Sequence, residues 1–242
     1  MADSPATTAP SHHEAHDGSV AGRLNWLRAG VLGANDGIVS TAGLVIGVAA
    51  ATPDRGAVLT AGLAGLAAGA MSMAVGEYVS VSTQRDTEKA LIAMEIRELD
   101  EEPEAELAEL AGIYRGKGLS PDLALQVAEQ LTAHDALGAH AEAELRIDPH
   151  NYTNPWHAAG ASMTAFTVGA LLPLLAILLP PTAWRVAVTV VAVVLALAFT
   201  GLVSARLGSS DAKRATVRVV IGGLLAMAVT YGIGAVVGTQ LG

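Results

Sequence analysis

Five continuous apolar runs mark this chain, at about 29 to 51, 57 to 81, 156 to 179, 183 to 205 and 215 to 239. Each reaches the roughly 20 residues that a helix needs to cross a bilayer. The runs are unbroken rather than alternating. They therefore predict helices and not barrel strands, because within hydrocarbon only an internally hydrogen-bonded helix or a closed barrel satisfies its backbone. A fold class follows: an all-α integral membrane protein with five transmembrane helices.

The polar stretches between the runs are short, with one exception from 84 to 153. Its punctuation predicts three helices. The first continues the second span from Glu77 to about Glu101 without a breaker, and the second starts at Pro103 and closes at Gly116 and Gly118. Ser120, Pro121 and Asp122 supply an N-cap, a first-turn proline and a dipole-favoured acid for the third, which is expected to run to about Leu145. Asp148 with Pro149, and Asn154 with Pro155, lead into the third span. The chain thus divides into a His-containing tail at 1–23, expected to be disordered, two spans at 24–83, an acidic helical insert at 84–153 and three spans at 154–242.

Composition agrees with this class: 52% of residues are hydrophobic, 15% are charged and the mean hydropathy is +0.45. No cleavable signal is expected, since the first 28 residues lack a charged region followed by an apolar core. Lys and Arg near the span ends set the orientation. Arg23, Arg28, Arg206, Lys213, Arg214 and Arg218 flank one side and only Arg55 and Arg185 the other. The positive-inside rule then puts the amino terminus, the insert and the fourth connection in the cytoplasm.

Charge is the most informative feature of the insert. Residues 84–150 hold sixteen acidic and six basic side chains, a net of −10 within a chain of net −9. Such a balance excludes nucleic acid as a partner and attracts cations. With no cysteine, a metal must be held by carboxylate, imidazole, thioether or carbonyl. Glu95 with Glu98 and Glu106 with Glu109 stand at i and i+3, and His140 with Glu144 at i and i+4, each pair on one helix face. Like charges at that spacing destabilise an isolated helix, so their recurrence points to metal ligands rather than a merely solvated face. Asp100, Glu101, Glu102 and Glu104 are read as solvating surface.

Within the spans, Asp36 lies about one third of the way along the first run, where an ionisable group costs on the order of 2.5 to 3.5 kcal/mol. Met73 and Glu77 share one face of the second, so a soft sulfur stands near an acid as a candidate ligand, while Glu77, near the cytoplasmic boundary, either coordinates or carries a proton or snorkels to water. Gly33-xxx-Gly37, Gly43-xxx-Gly47 and Gly234-xxx-Gly238, with Gly62, Gly65 and Gly69, permit close helix approach. Five spans make a thin bundle for a pore, so the small-residue faces predict a homodimer whose first spans meet near the symmetry axis. His12, His13 and His16 form a tract suited to weak metal binding, while Trp26, Trp156 and Trp184 read as interfacial anchors. His134 with Asp135 either joins the insert cluster or faces water, and His150 and His157 carry no distinguishing context.

The segments LRAGVLGANDGIVSTAGLVIG at 27–47, AGAMSMAVGEYVSVSTQRDTE at 68–88 and NPWHAAGASMTAFTVGALLPLL at 154–175 resemble the vacuolar iron transporter family, which has plant, yeast and bacterial members. The resemblance covers about 24 to 240. It implies a homodimeric five-span antiporter that exchanges Fe²⁺, and in some members Mn²⁺ or other divalent metals such as Zn²⁺ and Co²⁺, for protons. It further implies that Asp36 and Met73 line the translocation path and that Glu95, Glu98, Glu106, Glu109 and Glu144 bind metal on the cytoplasmic side. In one departure, plant members carry paired methionines shortly before the last of these glutamates, where this chain has His140 and Ala141. Imidazole also suits iron, manganese and zinc. No prosthetic group is expected. A bacterial-type member in the plasma membrane is the default, with a vacuolar membrane for a eukaryotic source. The rival readings are a membrane-anchored metal buffer or sensor, against which Asp36 and Met73 argue, and a ferroxidase, which lacks the Glu-x-x-His pattern of di-iron bundles.

Overall fold

The structure, a computed structural model, describes residues 19–208 and 210–241, with side chains described for 30–208 and 210–240. The His12, His13 and His16 tract lies outside the described residues. Within them the chain is helical and without strands: α1 (Ser19–Ala51), α2 (Arg55–Glu101), α3 (Pro103–Gly116), α4 (Pro121–His140), α5 (Pro155–Leu178), α6 (Arg185–Leu207) and α7 (Ala212–Leu241). A π-helical turn, Ala141–Leu145, extends α4. Five of these helices are long and apolar enough to cross a membrane, namely α1, α2, α5, α6 and α7. The protein is an integral membrane protein.

Helix ends follow the punctuation closely, with two differences. α1 begins at Ser19, ten residues ahead of its apolar run, so residues 19–23 are helical although expected as tail. The insert's last helix is not one uninterrupted α-helix. At Asp135 the backbone turns extended (φ −159°, ψ 91°) and the Asp135 carboxylate accepts a bond from the Gly138 N–H at 2.9 Å. A short polar side chain that bonds the backbone locally offers it an alternative to the helical ladder, which restarts beyond the kink.

Two compact units divide the chain: one holds the described residues up to Gly65 together with those from Ala165, the other Leu66–Thr164. In the first, α1 is the central element. Ile38, Ala42, Val45 and Ile46 are buried along it, as are Phe166, Ala170, Leu174 and Ile177 of α5, and Val193 and Leu197 of α6. Glycines set the spacing. A Cβ at Gly47 would stand 3.0 Å from the Thr230 carbonyl oxygen, one at Gly238 would stand 2.7 Å from that of Ala51, and Gly234 lies against the Gly47 carbonyl. The constant offset of these pairs makes α1 and α7 parallel. Asn35 meets Thr200 and Ala49 meets Arg185, so α1 and α6 are antiparallel. Both directions are those that alternating crossings require of the first, fourth and fifth spans.

These contacts correct the argument for a dimer. The Gly37, Gly43, Gly47, Gly234 and Gly238 faces are covered from within the chain, by α5, α7 or α1. They are therefore not free to pair two copies.

Candidate metal centre

In the second unit the carboxylates are brought inward by apolar neighbours on the same helix faces. Along α2, Val81, Ile92 and Glu95 are buried on one stripe, and along α3, Glu106 is buried one turn ahead of Leu110. Leu110 and Ala111 pack with Ala128 of α4 and with Leu107, Tyr114, Leu131, Ala139 and Ala143 around them. That apolar cluster holds the end of α4 against α3 and seats His140 with no exposed surface.

The three helices converge on His140. Its Nδ1 lies 3.0 Å from Glu95 Oε1 and 3.4 Å from Glu106 Oε2. Glu144, one turn beyond within the π-helical turn, completes a set in which one ligand atom each of Glu95, His140 and Glu144 lie within 4.8 Å of one another. A π turn displaces the residues that follow it, a device frequent at functional sites. Arg146, in the left-handed region at φ 57°, ends that turn, with the Ile147 N–H donating to the Ala141 carbonyl at 2.9 Å.

Despite these short distances the cluster is not a salt bridge. Neither Nδ1 nor Nε2 of His140, nor Oε1 of Glu95, has an aligned hydrogen-bond partner, although all three atoms are buried. Burial, and then the charges of Glu144, Glu106, Glu98 and Glu109, push the Glu95 carboxyl up to about 7. Burial likewise raises Glu106 and Glu144, each helped by Glu109 and Glu98, and lowers His140 against the pull of Glu109. Near neutral pH the centre is thus a neutral imidazole beside carboxyls that are reluctant to ionise. Orphaned buried polar atoms cost about 1 to 3 kcal/mol each. A divalent cation would relieve both strains at once, taking the imidazole lone pair and favouring the ionised carboxylates. Three carboxylates and one imidazole form a donor set suited to first-row divalent metals.

Glu98 is half-buried and Glu109 exposed, and both act on the centre through their charge. His134, Asp135 and His150 line a separate cleft with Glu142, Arg146 and Asp148. His134 therefore does not join the cluster. His157 is exposed near the start of α5.

Residue numbers 27–235 match the family model described as the VIT family. The chain belongs to the VIT family. A protein of Acanthamoeba castellanii named vacuolar iron transporter is 45% identical over 218 residues, covering 89% of this chain and 80% of its own length. In Oryza sativa subsp. japonica, vacuolar iron transporter homolog 1 is 43% identical, over 87% of this chain and 73% of its own. Vacuolar iron transporter homolog 2.1 of Arabidopsis thaliana is 38% identical, with shares of 90% and 84%.

The intramembrane residues of this VIT family member fall in different units. Asp36 lies on α1 in the first, and its side chain is exposed on the surface of the single chain with Leu32, Ser40 and Leu44, a stripe at i+4 spacing. Among the described residues no basic group pairs with it, and Ser40 Oγ donates to its backbone carbonyl at 2.6 Å. Met73 and Glu77 lie half-buried on α2 in the second unit. Three features go beyond what the sequence reading drew out: the Thr200 hydroxyl donating to the Asn35 side-chain oxygen, the burial of Arg185 and the burial of Ser162. A polar residue inside an apolar run is their one sequence-level signal.

Proposed function

We propose that this chain is a proton-coupled antiporter moving a divalent transition metal, Fe²⁺ or alternatively Mn²⁺, out of the cytoplasm. The carrying observation is the centre on His140, buried among Glu95, Glu106 and Glu144 with its ring nitrogens unpartnered. A family whose relatives are named iron transporters supports flux rather than enzymatic turnover. Glu95, Glu98, Glu106, Glu109, His140 and Glu144 gather the cation on the cytoplasmic side. It then passes Glu77 and Met73 and exchanges with a proton at Asp36. A carboxylate in an apolar span is costly against lipid, so an exposed Asp36 supports a homodimer in which the Leu32, Asp36, Ser40 and Leu44 stripe faces a second copy.

The test is reconstitution into liposomes with an internal pH dye and external Fe²⁺ kept reduced. Metal uptake coupled to a proton signal, lost in Asp36→Asn while metal binding at the Glu95–His140 centre persists, is the expected result. Binding without flux would instead identify a membrane-anchored buffer.

A further inference from the structure

All buried side-chain atoms without a hydrogen-bond partner among the described residues lie in the Leu66–Thr164 unit, and one of them stands within a span. It is the hydroxyl of Ser162 on α5, a residue only 1% exposed. Hydroxyls in apolar helices usually satisfy themselves on the carbonyl four residues back. Thr164, two residues further, does so on Gly160 at 2.8 Å, and Thr189 and Thr83 do so in other helices. Ser162 leaves its own such acceptor, Ala158, unused.

Two ring contacts give the depth of this hydroxyl. Tyr78 of α2 packs on Trp156 of α5 with ring centroids 4.7 Å apart, and the Lys89 ammonium stands 6.0 Å from the centroid of the Tyr152 ring. As the number rises along α2 it falls along residues 152–156, so the chain enters α5 antiparallel to α2. From the level of that Tyr78 and Trp156 pair, Met73 lies five residues into the span, about 7.5 Å, and Ser162 six residues, about 9 Å. Met73 of α2 and the orphaned hydroxyl of α5 are therefore at one depth.

We propose that Ser162 is a further cation-binding residue of the transport path, its hydroxyl oxygen serving a divalent transition metal, directly or through one held water, at the level of Met73. This rests on the transport reading above. An oxygen donor at the depth of a thioether would make a mixed site, suited to Fe²⁺ over Mg²⁺ or Ca²⁺. The burial cost of an unpaired hydroxyl is offset only while the cation passes.

The experiment compares wild type, Ser162→Ala, Ser162→Cys and Met73→Ala in proteoliposomes, reading initial Fe²⁺ uptake against Fe²⁺ concentration, together with melting temperature in detergent. Ser162→Ala is expected to raise the half-saturating Fe²⁺ concentration by about tenfold, as loss of one polar ligand would, and to melt no lower than wild type. Ser162→Cys, which keeps a donor atom, is expected to retain half-saturation near wild type. Unchanged uptake in Ser162→Ala while Met73→Ala is impaired overturns the role of Ser162 and leaves the transport reading standing. A weakened Ser162→Ala whose melting temperature falls in proportion, with Ser162→Cys equally weakened, assigns the residue to packing and overturns the proposal. Wild-type protein that binds Fe²⁺ but carries none overturns both.

Discussion

The Arg185 guanidinium at the start of α6 donates to the carbonyl of Thr52, just past the end of α1, at 2.7 Å. It also donates to Ala49 at 2.8 Å and Pro53 at 3.2 Å while only 3% exposed. Arg55 returns the gesture across the same end of the unit, donating to Pro180 at 2.6 Å. The carbonyls that end a helix have no partner of their own and carry its negative dipole end, so a buried cation is well placed there. Arg185→Leu would leave three acceptors unsatisfied, a destabilisation of about 3 kcal/mol or more. A fall in melting temperature of the detergent-solubilised protein, only partly reversed in Arg185→Lys, checks it. Lys reaches with one point charge where Arg presents a fork.

His140 behaves in the opposite sense. Its ring nitrogens have no aligned partner in the apo centre, so His140→Leu, similar in volume, removes a burial cost rather than a bond. The expected outcome is unchanged or higher apo melting temperature with metal affinity reduced at least about tenfold, the scale of one lost ligand interaction. Calorimetric titration with Mn²⁺, which does not oxidise during the measurement, reads the affinity.

Proton linkage at Glu95 gives a pH dependence with a definite sign. In the folded apo protein this carboxyl titrates at about 7, against 4.5 for the ordinary group, so between those values the folded state holds the extra proton. Apo stability therefore declines as pH rises from about 4.5 to about 7. Metal binding must expel that proton, so affinity tightens as pH rises toward 7 and changes little above it. Melting curves and Mn²⁺ titrations between these limits, with Glu95→Gln as the control that flattens both, test the two slopes together.

Gly234 decides whether the small-residue faces pack inside one chain. A Cβ there would run into the Gly47 carbonyl, backbone that has no side chain to rotate away. Gly234→Val is expected to separate α1 from α7 at a cost of about 1 to 3 kcal/mol, and to lower melting temperature without changing the oligomer. Light scattering in detergent beside a thermal scan distinguishes this from loss of a subunit contact.

Much of this was readable from residue order. Long apolar runs specify spans because hydrocarbon leaves the backbone one solution, and the Ser120-Pro121-Asp122 start is seen with the Leu123 N–H on Ser120 Oγ at 3.4 Å. Spacing at i and i+3 or i+4 grouped residues of which Glu95, Glu106, His140 and Glu144 meet. What spacing could not reveal was depth. Glu95 is buried and Glu109 exposed although both belong to equivalent pairs, because burial depends on which apolar neighbours a distant helix covers. The glycine motifs misled for a similar reason: a close-approach face does not name its partner, and here the partners are α5 and α7 of the same chain. The kink at Asp135 and the π turn after His140 arise from side-chain and tertiary competition that no periodicity encodes.

Because α2 runs unbroken from Arg55 to Glu101, Met73 and Glu95 stand on one rod, 22 residues or about 33 Å apart. A lever of that length converts a small tilt at its apolar foot into a large sweep at its acidic tip: 10° moves Glu95 by about 6 Å relative to Met73. Such a sweep exceeds the reach of any metal–ligand bond, so the proposed centre at Glu95 keeps its shape only while the rod keeps its tilt.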